Sequence, residues 1–296
     1  PGRNPPTMSR VVCAGHVNWD VTLYVDVLPE ADGEARLRSR RAGGGGSAAN
    51  VASALVDLGV EAGLVGAVGD DDPGRRVREE LGARGVDLRG LHTVDGGETT
   101  EKYLFVDEAG QVAVVGNEGV NEALTADDLD ADLLAGADHL HLTGQPPATA
   151  GALADLAAGA GATVSLDPGR RVAERDVSSL LPRVDVLFVN RVESEALPGG
   201  SGPGEGALVV KYGEDGATVQ AGGDRYAHPG FRAQTVDAAG AGDAFAAGFL
   251  AEWLDGAGYE WALAFGNACG ALATECAGAR ADLARERVEG MAADGE

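Results

Sequence analysis

Thr235-Val-Asp-Ala-Ala-Gly-Ala-Gly-Asp-Ala-Phe-Ala-Ala-Gly-Phe-Leu250 sets two glycines before an aspartate and then continues as a long apolar run. Phe245, Phe249, Leu250, Trp253 and Leu254 recur at helical spacing, which predicts a buried helix behind the turn. Gly240 and Gly242 let the backbone come close to a ligand, and the unpaired N–H groups at a helix start favour an anion such as phosphate. Asp243 would repel that anion unless it has its own task, such as taking a proton from an attacking hydroxyl. Glycine and aspartate also cap ordinary helices, so this stretch alone leaves both readings open.

Outward from it, two more helices close the chain, and Gly213 to Gly230 reads as a hairpin. Further upstream, strands and helices alternate: strands at 138–143, 163–166, 184–189 and 207–211, with helices at 148–158 and 176–182. This βαβ alternation predicts an α/β fold with a mainly parallel central sheet flanked by helices. Near the start, Val11 to Gly15 reads as a buried strand running out into His16-Val-Asn18-Trp-Asp20, and strand ends are where open α/β sheets bind ligands. Gly43-Gly-Gly-Gly46-Ser-Ala-Ala-Asn50 then leads into a helix that Ser47 can cap and Gly59 can end, followed by a strand at 61–69 and a charged helix at 75–84. Four glycines exceed the needs of a turn and suggest close backbone approach to a ligand. Alternating blocks at 21–28 and 101–117, the second with a turn at 107–110, predict a small sheet apart from the core, a lid at 21–42 and 92–117. Residues 1–7 read as a disordered extension, leaving one domain over 8–296.

The net charge of −24 and the pI near 4.4 argue against nucleic-acid and anionic-membrane partners and leave small molecules as ligands. Lys102 and Lys211 are the only lysines among 23 basic residues, against 47 acidic ones, a surface that suggests adaptation to high salt. No apolar run approaches the roughly 20 residues that span a bilayer, and no signal-peptide pattern is seen, so a cytoplasmic protein is expected. Cys13, Cys269 and Cys276 lack metal-ligand spacing and read as small buried hydrophobes, and His139 and His141 as ordinary strand residues.

Neither lysine follows a glycine, which excludes a Walker-A loop; a full dinucleotide fingerprint and a Gly-x-Ser-x-Gly elbow are also missing. What the chain does carry, in order and over nearly its whole length, resembles the ribokinase family, the PfkB-type carbohydrate kinases. Gly45-Gly46-x-x-x-Asn50 resembles the first family signature, Gly66-x-x-Gly69-Asp70 the block after it, Asn190-x-x-Glu193 the metal and phosphate motif, and Asp237-x-x-Gly240-Ala241-Gly242-Asp243 the second signature.

The resemblance implies a ribokinase-like fold with a small β-sheet lid and an ATP-dependent phosphotransferase. Asp243 would be the base, with the N–H groups of Gly240, Ala241, Gly242 and Asp243 as the anion hole. Asn18, Asp20, Gly45, Gly46 and Asn50 would hold the acceptor. Asn190 and Glu193 would position Mg²⁺ and phosphate, while Lys211, Gly213, Gly240, Gly242 and Asn267 would lie on the ATP side. A K⁺ loop would fall at Asp237, Ala239, Ala273 and Gly278, although Ala238-Ala239 replaces the usual Thr-Thr and removes its hydroxyls.

Ser47 stands where ribokinases tend to have Lys. Asp167-Pro-Gly-Arg-Arg171 resembles the Asp-x-Asn-x-Arg of fructokinase and 2-keto-3-deoxygluconate kinase relatives with Gly169 in place of Asn. Arg171 would then meet a phosphate or an acidic substrate, or serve as a surface arginine. The expected acceptor is the primary hydroxyl of a sugar or sugar acid of the ribose, fructose or 2-keto-3-deoxygluconate type. A nucleoside kinase and a non-catalytic sugar- or nucleotide-binding protein are the alternatives. The apolar lid face around Val21, Leu23 and Tyr103 favours a homodimer. From the helix dipole alone, Asp243 should be a weak base that receives its proton late.

Overall fold

The computed structural model describes residues 9–197 and 202–294, so the extension expected at 1–7 lies outside the described residues. In chain order the strands are β1 (Arg10–Ala14), β2 (Asn18–Val25), β3 (Leu37–Gly45), β4 (Glu61–Gly69), β5 (Leu91–Val94), β6 (Thr100–Val106), β7 (Val112–Gly116), β8 (His139–Thr143), β9 (Thr163–Asp167), β10 (Val186–Asn190), β11 (Ala207–Lys211), β12 (Ala217–Ala221) and β13 (Asp224–His228). The helices are α1 (Ser47–Asp57), α2 (Asp72–Arg84), α3 (Pro147–Ala160), α4 (Arg191–Ala196), α5 (Ala241–Leu254), α6 (Tyr259–Thr274) and α7 (Arg285–Ala293).

A nine-stranded sheet runs β13-β12-β11-β10-β9-β8-β1-β4-β5, parallel from β5 to β11 and antiparallel only at its β11-β12-β13 edge. Side chains alternate across a strand, so each face builds its own core. Val11 and Cys13 of β1, with Val186 and Phe188 of β10, pack against α1, α5 and α6. Val12 and Ala14, with Leu187 and Val189, pack on the other face with α3. Phe188, Phe249 and Phe265 are fully buried, and emptying one such site to alanine costs about 3–5 kcal/mol. Among the described residues no helix is long and apolar enough to cross a membrane.

The second sheet, β3-β2-β6-β7, forms the lid, with β2 paired antiparallel to β3 and parallel to β6. Its limits differ from those expected. Residues 92–94 belong to β5, which hydrogen-bonds to β4 in the large sheet. Strand β3 runs on through the glycines to Gly45, so that run is a strand end and not a loop.

Three local expectations are also corrected. No regular helix forms at 176–182; 3-10 turns occupy Gly169–Ala173 and Leu181–Arg183 instead. Asp176 takes the Ser178 N–H for its own side chain at 2.9 Å, and Pro182 has no N–H to give. Helix α1 is capped by Gly46 at φ 92°, with Ser47 already its first residue. Helix α4 was not expected at all, although its capping box is written in the sequence as Asn190 and Glu193. Of the cysteines, Cys13 and Cys269 are buried as expected, whereas Cys276 is half-exposed. His139 and His141 are buried side by side on β8, and both bond the Ser165 hydroxyl at 2.7 Å.

Candidate active site

The carboxyl ends of β1, β8, β9, β10 and β11 bring the chemistry-bearing residues toward the start of α5. Gly240 caps that helix at φ 74°, and a Cβ there would lie 2.1 Å from the Ala279 carbonyl oxygen, so backbone and space both demand glycine. Ala241, Gly242 and Asp243 form its first turn, whose N–H groups have no partner within the helix.

Asp243 faces the other glycine motif. Asn50 Nδ2 donates to its Oδ2 at 2.8 Å, although 193 residues separate the two, and the Ser47 side chain lies near the carboxylate. Burial pushes the Asp243 pKa up to about 6; Asp167 pushes in the same direction, while Asn50, Lys211 and Ser47 pull the other way. Desolvation and a second carboxylate thus act against the helix dipole, which alone would make Asp243 a weak base.

Lys211, at the end of β11, bonds Asp167 at the end of β9 with Nζ to Oδ2 at 2.6 Å. Burial disfavours its charge, but Asp167, Asp243 and Glu193 overcome that and hold its pKa above the ordinary value. Glu193 is buried, which raises its pKa, and Asp167 raises it further. Glu193 and Asn190 cap each other reciprocally: the Asn190 N–H donates to Glu193 Oε2 and the Glu193 N–H to Asn190 Oδ1, both at 2.9 Å. Among the described residues no three His, Cys, Asp or Glu side chains converge tightly enough to hold an ion alone. A Mg²⁺ ion commonly takes one or two carboxylates and completes its shell with phosphate and water, and Glu193 fits that habit.

Of the residues expected to hold the acceptor, Asn18 and Asp20 lie on β2 and Gly45 ends β3, while Gly46 caps α1 and Asn50 lies within it. Asp20 crosses Gly45 so closely that a Cβ there would be 2.0 Å from its Oδ2, and Arg280 lies as close across Gly44. The glycines thus make room for two side chains of this chain, a reason not foreseen. Burial raises the Asp20 pKa against the pull of Lys102 and Arg280. Asn18 is buried, its Oδ1 accepting from Asn121 Nδ2 at 2.6 Å. Among the described residues Asn18 Nδ2 and Asp20 Oδ1 are buried without a partner, and groups of that kind call for a polar ligand.

Three expected residues are engaged elsewhere or stand apart. Arg171 bonds Glu122. Asn267 turns its amide back to the Leu263 carbonyl of its own helix at 2.8 Å. Gly213 sits at φ 66° just past β11 with open space around it. Among the residues expected to form a K⁺ loop, Asp237 receives the N–H groups of Ala239 and Gly278, both at 2.9 Å, which joins those segments; the Ala273 carbonyl accepts from Cys276 at 3.3 Å.

The largest omission from the sequence reading is Arg280. Its side chain is 3% exposed, and it donates to Asn50 Oδ1 at 3.2 Å, to Glu80 at 3.0 Å and to the Gly45 carbonyl at 2.9 Å. Because Arg280 occupies the oxygen of Asn50, the amide must present its nitrogen to Asp243. Nothing local marks Arg280; Asn121 and Glu80 were equally silent. The two lysines gave a signal, since each lone lysine stands beside a site aspartate.

A mainly parallel sheet flanked by helices, with a four-stranded lid beside its carboxyl-end cleft, defines the ribokinase-like α/β class. A nucleoside kinase of Methanocaldococcus jannaschii has this fold with a TM-score of 0.84 at 23% identity, covering 98% of this chain and 100% of that one. Arabidopsis thaliana ribokinase, solved with ribose and ATP, matches with a TM-score of 0.82 at 25% identity, over 97% of this chain and 98% of its own. The family model described as pfkB family carbohydrate kinase matches residues 8–286. The chain belongs to the pfkB family of carbohydrate kinases, and it is an enzyme of that kinase class. An ATP-dependent ribose-1-phosphate kinase of Halopiger xanaduensis is 54% identical over 279 residues, 92% of this chain and 94% of that protein.

Proposed function

We propose that the protein is an ATP-dependent kinase that transfers the γ-phosphoryl group to the primary hydroxyl of a phosphorylated pentose, ribose 1-phosphate. One observation carries this beyond the similarity to the Halopiger protein: in a chain of net charge −24, Lys102, Arg171 and Arg175 act on His16, and Lys102 and Arg280 on Asp20, a positive charge that Glu122, Glu80 and Asp20 offset only in part. An anionic acceptor is the ligand that such a setting favours.

In this reading the acceptor's primary hydroxyl oxygen forms a bond to the γ-phosphorus as the bond from that phosphorus to ADP breaks. The hydroxyl proton passes to Asp243, whose position opposite Asn50 supports the role of base. The N–H groups of 240 to 243 take the developing charge. Glu193 and Asn190 would hold Mg²⁺, which would supply charge neutralisation of the phosphates, and the 237–239 and 273–278 segments would form the K⁺ loop. Gly213 and Asn267 border the nucleotide. We place the enzyme in the cytoplasm, where its nucleotide is made. It works as a homodimer closed through the lid; Val21, expected on the exposed lid face, is buried, and the exposed Leu37, Tyr103, Val112, Val114 and Val115 support the reading instead. A monomeric mass in light scattering at high salt would exclude that dimer.

The test is turnover with ATP and Mg²⁺ in concentrated KCl on ribose 1-phosphate, ribose, fructose, 2-keto-3-deoxygluconate, adenosine, cytidine and guanosine. Ribose 1-phosphate should have the highest kcat/KM, and Asp243→Asn should lower its turnover by about 100- to 10,000-fold. Higher kcat/KM on any unphosphorylated compound would refute the acceptor assignment.

A further inference from the structure

Glu122 holds two arginines on the acceptor side. Arg171 Nη1 donates to its Oε1 at 2.6 Å, and Arg175 Nη2 donates to the same oxygen. Arg175 is fixed at its other end, where Nη1 donates to the Gly144 carbonyl at 3.0 Å, just beyond β8. Its side chain is 20% exposed, against 48% for Arg171, so this is not a loose surface pair. His16 Nε2 lies 3.9 Å from Glu122.

One carboxylate oxygen shared by two guanidinium groups leaves most of their donors unused and a net charge of +1. The narrow cleft beside it, too small as it stands for a phosphate while Glu122 holds the arginines, is lined by Gln145, Arg171 and Arg175 together with apolar Leu166, Val172 and Leu180. His16 Nε2 and both polar atoms of the Gln145 amide are buried with no partner among the described residues. Burial drives the His16 pKa down to about 4; Lys102, Arg171 and Arg175 lower it too, against Glu122, so the imidazole is neutral and can donate a hydrogen bond.

We propose that Arg171 and Arg175, with His16 and Gln145 beside them, form the subsite for the phosphate that the acceptor already carries, and that Glu122 holds the arginines in place until that phosphate displaces it. The inference rests on the phosphorylated acceptor proposed above. A sugar without phosphate leaves the pair locked to Glu122, so the subsite selects phosphorylated acceptors from neutral ones. The reach of the two guanidiniums matches phosphate oxygens better than one carboxylate oxygen does.

Steady-state kinetics on the full chain test this with Arg175→Gln and Glu122→Gln, using the KM for ATP and the thermal midpoint as controls. Arg175→Gln should raise the KM for ribose 1-phosphate by about 10- to 100-fold, the scale of a lost charged hydrogen bond, with the KM for ATP within about twofold of wild type. Glu122→Gln should lower the KM for ribose 1-phosphate. Inorganic phosphate, titrated into wild-type protein at the concentration that inhibits competitively, should raise the His16 pKa seen by NMR, and Arg175→Gln should abolish that shift. Equal changes in both KM values, or no change in either variant, would overturn the subsite. Wild-type protein that turns over only unphosphorylated sugars would instead remove the reading of the acceptor, a result visible before any variant is made.

Discussion

As the proposed base, Asp243 carries opposite demands at the scale of one residue. A base should be unprotonated at working pH and still basic, and burial places its pKa near 6. Activity should therefore fall with a single proton as pH drops through about 6, readable in the pH profile of kcat. Folding bears the cost. The folded state binds its proton more tightly than the unfolded one, whose pKa is near 3.8, so Asp243 withdraws stability as pH rises between those values and withdraws it fully above 6. Asp243→Asn should reduce kcat by about 100- to 10,000-fold while raising the thermal midpoint at pH 8, and a lower midpoint would contradict the burial argument. The aspartate and its glycines were legible in the sequence because a helix start and a close backbone approach are local matters. Its basicity was not, since Asp167 and the packing that strips away water come from distant parts of the chain. The same limit hid Arg280, which is 230 residues from the Asn50 it orients.

At the scale of elements, the segment after α6 ties α1, β3 and α5 together. Ala279 abuts Gly240, Asp237 clasps the Gly278 N–H, and Arg280 spans Gly45, Asn50 and Glu80. Gly240→Ala must resolve both a left-handed backbone and a 2.1 Å clash, and should lower the thermal midpoint by several degrees along with kcat. Arg280→Gln takes its partner from the part-exposed Glu80 and frees the Asn50 amide. The hydrogen bond from Asn50 lowers the Asp243 pKa, so its loss should move the acid limb of activity upward from 6. An unmoved limb with only lower stability would make Arg280 a structural residue. Strand and helix positions were readable from period and caps. The failed helix at 176–182 shows the limit of that reading, because an Asp176 side chain and Pro182 diverted the backbone locally.

For the whole molecule, 47 acidic and 23 basic residues set the electrostatics. Salt weakens exposed ion pairs such as Arg75–Glu79 and also the general repulsion, and the excess of negative charge makes repulsion the stronger of the two. The thermal midpoint should rise between about 0.1 and 2 M KCl, where the Debye length shrinks from about 10 Å to a few ångströms. A falling midpoint would mean that ion pairs dominate. Fold class was legible because βαβ order and a separate alternating block are patterns of the whole chain; the path of the lid strands was not, since β3 shows little apolar alternation before its glycines.

Strand β3 joins the lid to the cleft without a break. Its outer half carries Arg38, Arg40 and Arg41, its inner end is Gly44-Gly45 under Asp20 and Arg280, and α1 with Asn50 follows directly. Such a strand behaves as a lever with its short arm in the site. Any tilt of the outer sheet displaces Asp20 on β2 and the glycines on β3 together, because residue pairs tie the two strands along their length from Asn18–Gly45 to Val25–Leu37. With the acceptor held as proposed, its grip and the attitude of the lid are one mechanical coordinate, so an agent that wedges the outer strands apart would loosen substrate without touching the pocket.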